Sequence, residues 1–167
     1  KEKLLTRELA LKCLVNEIPK NSNVVSTTGI LSRELNEINN HMKKINNFMC
    51  VGGMGHASSI ASGIAKNTKK KVYCFDGDGA LTMNLGSLAT TSRNKNLVHI
   101  VFNNGSHESV GGQKTSSSGL KLFKIASTLG YSYSFRCIKI SDIKKKIKFA
   151  LNENKSFFLE ILIQNGH

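Results

Sequence analysis

The chain has 167 residues, with 24 lysines and arginines against 11 aspartates and glutamates, for a formal net charge of +13. Apolar residues make up 40% and charged ones 21%, with a single proline, which excludes a disordered chain and fits one globular domain. No apolar run approaches the ~20 residues of a membrane span, and four scattered cysteines without a CxxC pair exclude a disulfide framework or a zinc motif by spacing.

Taken in order, residues 4–18 carry Leu5, Leu9, Cys13 and Leu14 at helical spacing and predict a helix. Pro19-Lys20-Asn21 ends it. Val24-Val25-Ser26 reads as a short buried strand, and Thr28 as the N-cap of a helix over 29–38. Residues 39–47 are polar and read as a linker. A second short strand covers 48–51 and ends in Gly52-Gly53-Met54-Gly55. Ala57, Ile60, Ala61 and Ile64 make a small-residue helix that can pack closely on a sheet. Val72-Tyr73-Cys74-Phe75 is apolar throughout, as a strand buried on both faces should be. A helix is predicted over 85–93, a strand over 97–102, and a Gly/Ser-rich loop over 106–118. Helix 119–129, strand 132–138, helix 142–152 and strand 157–163 follow.

Strand and helix alternate, which predicts an α/β domain with a largely parallel sheet and right-handed crossovers. In such folds ligands sit at the carboxyl ends of strands. The unusual loops, 52–55, 76–79 and 103–113, all follow predicted strands.

Gly77-Asp78-Gly79 places one carboxylate between two glycines. Glycine permits a tight turn and close approach of a ligand. Free N–H groups there attract an anion, yet an aspartate repels one unless a cation lies between. The chemistry suits Mg²⁺ and phosphate, with Asp78 on the metal. The same residues also read as a plain strand-to-helix turn. Asn103-Asn104 ends the next long strand, so Asn104 can reach the same metal, although Asn-Gly is equally a turn signal.

Gly77-Asp78-Gly79, followed one helix and strand later by Asn103-Asn104, resembles the cofactor motif of thiamine diphosphate (ThDP) decarboxylases. The wording around it is more specific. Thr27-Thr28-Gly29, Ser32-Arg33-Glu34-Leu35, Met54-Gly55-His56-Ala57 and Gly105-Ser106-His107-Glu108-Ser109-Val110-Gly111-Gly112-Gln113 resemble the phosphonopyruvate decarboxylase family. Sulfopyruvate decarboxylases are the neighbouring family, and the His107-Glu108 pair favours the phosphonate side. The resemblance runs from about residue 4 to 163 and covers only the C-terminal, pyrophosphate-binding domain.

The resemblance implies a three-layer α/β sandwich with a ThDP-binding fold. It implies that Asp78, Asn104 and the Ser106 carbonyl hold Mg²⁺. The amides of Gly79 and Ala80, next to Gly77, and the Thr28-Gly29-Ile30 turn would bind diphosphate. Met54, after Gly53, would be the apolar wedge beneath the cofactor, and the Gly52 carbonyl would accept from its amino group. His56, His107 and Glu108 are the candidates to touch substrate. Arg33, Gln113 and Lys114 are further candidates for the phosphonate, with Lys114 standing where the family has proline. The implied reaction is decarboxylation of a 2-oxo acid, 3-phosphonopyruvate to phosphonoacetaldehyde. The family's activating glutamate comes from a pyrimidine-binding domain that this sequence does not match. A partner subunit or parent polypeptide, a dimer or higher oligomer, and no turnover by the chain alone are therefore expected.

Other readings stay on the table. Gly53-Met54-Gly55-His56-Ala57-Ser58 resembles a dinucleotide fingerprint with Asp76 as the ribose acid, but Ser58 replaces the third glycine. The charge permits nucleic-acid binding, but the lysines of 142–152 surround an apolar face of Ile143, Ile147 and Leu151, without interleaved aromatics. A non-catalytic cofactor-binding module is a third reading. No nucleic acid and no membrane partner is expected. The charged segment 1–8 lacks the apolar stretch of a secretion signal, so a cytoplasmic location is expected. The missing initiator Met points to processing or a longer parent chain.

Overall fold

A computed structural model describes residues 4–166; Lys1, Glu2, Lys3 and His167, the outer parts of the charged N-terminal segment and of the chain end, lie outside the described residues. Helix α1 (Arg7–Glu17) starts at Thr6, whose hydroxyl accepts from the Leu9 amide, and leads to β1 (Ser22–Ser26). Helix α2 (Ile30–Met42) and strand β2 (Ile45–Met49) follow. Helix α3 (Ala57–Lys66) precedes β3 (Val72–Gly77), which runs straight into the short α4 (Asp78–Met83) and α5 (Ser87–Thr91). After β4 (Leu97–Asn103) comes a small hairpin, β5 (Ser106–His107) and β6 (Gln113–Lys114). Helix α6 (Leu122–Thr128), β7 (Tyr133–Cys137), α7 (Ile140–Asn152) and β8 (Phe157–Leu162) complete the chain.

The main sheet has six parallel strands in the order β2-β1-β3-β4-β8-β7. The three apolar runs β3, β4 and β8 are adjacent at its middle and almost wholly buried, as strands covered on both faces must be. On one face, Leu11, Leu14 and Val15 of α1 pack with Leu31 and Leu35 of α2, Ile143 and Ile147 of α7, and Phe75, Ile100 and Leu159 of the sheet. On the other face, Ala57, Ala61 and Ala65 of α3 sit on Val25, Cys74 and Val72. Leu81, Leu88, Leu122 and Ala126 cover Val101 and Phe158 on that same side. The expected three-layer α/β sandwich is the one observed. All four cysteines are free and buried. No helix of the described residues is long and apolar enough to cross a membrane.

Some expectations about elements need correction. The polar stretch 39–47 is no linker: α2 continues to Met42, Lys43 ends it in the left-handed region, and β2 occupies Ile45–Met49 rather than 48–51. Asn39 explains the tight link. Its Oδ1 accepts from the Lys44 and Ile45 amides, and its Nδ2 donates to the Ile45 carbonyl. An edge strand also tolerates polar side chains that a central one would not. Thr28 is not the N-cap of α2; Gly29 is, at φ +97°. The 85–93 helix shortens to α5, and a separate short helix, α4, follows Gly77.

Topology places the site. From β1 the chain moves outward to β2, then returns to the opposite side of β1 for β3. The crevice between the carboxyl ends of β1 and β3 is thus a switch point, the usual ligand position in such sheets.

Candidate functional site

A cavity of about 240 Å³ opens at this switch point. Its wall is built from the segments that leave β1, β3 and β4: Thr27 to Leu31, Gly77 to Ala80, and Asn104 to Val110 without Gly105. Arg7, Met54, Phe102 and Ile163 complete it. Of the residues picked out from sequence, Thr28, Gly29, Ile30, Met54, Gly77, Asp78, Gly79, Ala80, Asn104, Ser106, His107 and Glu108 therefore lie together. Gly52, Gly53 and His56 do not line it; Gly52 and His56 are exposed on the neighbouring turn. Arg33, Gln113 and Lys114 are exposed and also outside it.

Asp78 opens α4 and is 1% exposed. A buried carboxylate needs donors or a cation. Thr115 Oγ1 and Ser117 Oγ both lie 2.5 Å from its Oδ2. No described protein group donates to Oδ1. Asn104 faces the same cavity and uses its Oδ1 to accept from the Ser106 amide at 3.0 Å, which closes a tight turn. Asn103 points elsewhere. Its Nδ2 donates to Glu160 at 2.7 Å, and its Oδ1 accepts from the Gly105 amide. Glu160 is fully buried and also takes both Nε and Nη2 of Arg136 at 2.9 Å and the Phe123 amide at 3.1 Å. The two asparagines thus divide the work: Asn103 anchors the turn and Asn104 faces the cavity.

Two glycines are required by close approach. A Cβ on Gly79 would stand 2.6 Å from His107 Cε1, so the imidazole lies directly over the Gly77-Asp78-Gly79 turn. A Cβ on Gly29 would stand 2.7 Å from Ser109 Oγ, which accepts from the Ile30 amide at 3.2 Å. The loop after β4 is therefore stitched to both other walls. Gly29→Ala is expected to break the Ser109 contact, because φ +97° and that distance both disfavour a side chain. Amide exchange at Ile30 should rise while α7 stays protected; unchanged Ile30 protection would refute it.

Burial acts to raise the Glu108 pKa, but hydrogen bonds from Arg7 and the Gly166 amide hold it below the ordinary carboxylate range. Beneath the site runs a buried polar chain. Asp76 Oδ2 lies 3.3 Å from His99 Nε2, His99 Nδ1 lies 3.2 Å from the Tyr131 hydroxyl, and that hydroxyl lies 2.9 Å from Thr91 Oγ1. Asp76 Oδ1 accepts from the Gly77 amide. Asp76 is thus committed inside the sheet, which removes the ribose-binding acid that a dinucleotide reading needs. Burial pushes the Cys74 thiol beside it well up, with the Asp76 charge adding to the effect.

The donor set fits a divalent cation with an anion. Asp78 Oδ1, Asn104 Oδ1 and the Ser106 carbonyl are hard oxygens, the type Mg²⁺ prefers. Thr27 Oγ1 is buried on the cavity wall without a hydrogen-bond partner among the described residues, as a group waiting for a ligand would be.

Residues 27–161 match the family model of the thiamine pyrophosphate enzyme C-terminal TPP-binding domain. The chain belongs to this family. It is 39% identical over 163 residues to a phosphonopyruvate decarboxylase from Streptomyces viridochromogenes, covering 96% of this chain and 40% of that one. A sulfopyruvate decarboxylase subunit beta from Methanocaldococcus jannaschii is 36% identical over 148 residues, covering 87% of this chain and 77% of that one. The chain thus spans well under half the length of the phosphonopyruvate decarboxylase. Among solved structures, a benzoylformate decarboxylase from Polynucleobacter necessarius superposes with TM-score 0.81 at 18% identity over 95% of this chain and 33% of that one, which shows the shared TPP-domain fold.

Sequence reasoning missed Arg7, Thr27, Ser109, Thr115 and Ser117. Arg7 carried no motif, and Thr27 and Ser109 stood inside quoted motifs without a role of their own. The hydroxyls of Thr115 and Ser117 were visible only as part of a Gly/Ser-rich loop, whose path back to Asp78 depends on the β5–β6 hairpin.

Proposed function

We propose that this chain is the cofactor-binding part of a ThDP- and Mg²⁺-dependent 2-oxo acid decarboxylase that converts 3-phosphonopyruvate to phosphonoacetaldehyde and carbon dioxide. The carrying observation is the buried Asp78 carboxylate, with one oxygen held by two hydroxyls and the other without a protein donor, in a switch-point cavity. Asp78, Asn104 and the Ser106 carbonyl would hold Mg²⁺. The amides of Gly79 and Ala80 and the Thr28-Gly29-Ile30 turn would hold the diphosphate. When bound, the cofactor supplies the electron sink that makes loss of carbon dioxide possible.

The chain's own groups position and tune this chemistry. Met54, on the cavity wall, would support the cofactor by apolar contact. The carbonyl of Gly52, a residue on the exposed turn beside the cavity, would accept from the cofactor's amino group. His107, which lies over Gly79 on the cavity wall, would be an imidazole able to exchange a proton with a ligand there. Glu108 stays ionised and acts through its charge and hydrogen bonds. His56 would meet substrate only across the face that a partner covers.

A pyrimidine-binding domain, in a partner subunit or in the same parent polypeptide, would supply the activating glutamate. The size of the phosphonopyruvate relative supports this. So do the exposed Phe48, Met49, Val51 and Met83, the last lying against Gly55 at the cofactor rim. The 167-residue chain with ThDP, Mg²⁺ and phosphonopyruvate is expected to release no carbon dioxide. Turnover by it alone would refute the need for a partner.

Calorimetric titration tests the cofactor assignment: Mg²⁺-dependent ThDP uptake, alone or with a pyrimidine-domain partner, is expected, and its absence overturns the assignment. Sulfopyruvate is the second substrate reading, favoured by the coverage of the subunit beta relative. The ratio of kcat/KM for phosphonopyruvate and sulfopyruvate in the completed enzyme decides between them.

A further inference from the structure

Arg7 stands at the start of α1, far in sequence from every motif above, yet it is 6% exposed and lines the cavity. Its Nε and Nη2 donate to the two oxygens of Glu34 on α2, at 2.8 and 2.9 Å. Its Nη1 donates to Glu108 at 2.6 Å. The other Glu108 oxygen accepts from the Gly166 amide at 2.5 Å. One guanidinium thereby joins α1, α2, the loop after β4 and the segment beyond β8.

We infer that Arg7 is a positioning residue that locks the 104–110 loop in its metal-holding shape through Glu108 and neutralises carboxylate charge beside an anionic ligand. The inference rests on the reading that the cavity takes Mg²⁺ and a diphosphate. Glu108 lies two residues beyond Ser106, whose amide is tied to Asn104 Oδ1, so fixing Glu108 restrains both metal-facing positions of that loop. Two carboxylates share this one cation. Without Arg7 the partly buried Glu108 carboxylate would lose its cation next to the diphosphate site, which costs both stability and anion affinity. Lysine cannot replace the geometry. A single ammonium lacks the planar fork that grips one carboxylate side-on and a second one end-on.

The test uses the full chain and Mg²⁺ with ThDP as the probe, read by calorimetry, thermal melting and amide exchange. Arg7→Gln is expected to weaken uptake by roughly 30-fold or more, the usual effect of truncating one partner of a buried charge pair. Amides of Ser106 and Gly166 should exchange faster even before ligand is added. Arg7→Gln combined with Glu108→Gln should recover most of the affinity, because the uncompensated charge is gone. Simple loss of packing predicts no such recovery. Arg7→Lys should fold, keep the charge balance and still loosen both amides, which covers the case in which Arg7→Gln does not fold. Affinity within about twofold of the parent chain, with both amides as protected as before, would overturn the inference. A double variant no better than Arg7→Gln would overturn its charge part. If the parent chain takes up no ThDP, the cofactor reading fails, and the loop-locking role then stands or falls on the amide exchange of the Arg7 variants.

Discussion

Asp78→Asn should lower the affinity for Mg²⁺ and ThDP by at least about 100-fold, since even partners behind a metal ligand are worth 10–100-fold. The substitution keeps the size of the side chain and removes its charge. Thr115 and Ser117 now both approach an acceptor oxygen at 2.5 Å. An amide in that place offers them either one weaker oxygen or an NH₂ group with nothing negative to balance the cation. The anion then meets the cavity without its cation, and phosphate binding at the Gly79 and Ala80 amides loses most of its drive. Stability of the ligand-free chain should change little, because loss of two hydrogen bonds is offset by removing a buried charge. Calorimetry and a thermal melt check both halves. Uptake within about threefold of the parent chain would remove Asp78 from the metal site.

Glu160→Ala is the largest stability effect expected. Glu160 is fully buried and holds Arg136, Asn103 and the Phe123 amide at once. Truncation strands a guanidinium, an amide NH₂ and a backbone N–H together. Breaking a buried charge pair this way costs about 3–5 kcal/mol, discounted toward the lower end because Arg136 keeps 25% exposure. A domain of this size then loses roughly 6–15 °C in melting temperature. Asn103 also loses its anchor, so Mg²⁺ affinity should fall although Glu160 never touches the cavity. A melting change under about 2 °C would show that the network is not needed for stability.

Much of the fold was legible because its signals are local. The apolar runs read at 72–75, 97–102 and 157–163 point to strands buried on both faces, and β3, β4 and β8 occupy them. The helix between the last two strands, with Ile143 and Ile147 on one side and lysines around them, shows its packing face directly. The edge was not legible. Ile45-Asn46-Asn47 reads as the end of a polar linker and only Phe48 and Met49 as strand, yet all five pair in register with β1, whose own backbone groups supply the reason. Thr28 looked like a helix cap because a threonine precedes the apolar face; the actual partner of the Ile30 amide is Ser109, 79 residues away. Thr115 and Ser117 escaped notice for the same cause.

The sequence by itself determined the α/β class, the glycine-flanked Asp78, the paired asparagines and the family these belong to. Backbone conformation and hydrophobic period are local properties, and a motif is a local string. Only the tertiary structure decided that Asn103 is the anchor and Asn104 the cavity-facing residue, that Asp76 is spent inside the sheet, and that Arg7 is bound to Glu34 and Glu108. Each of these depends on which distant groups a buried charge or amide meets. Burial forces every such group to find a partner, but the chain order does not say which one.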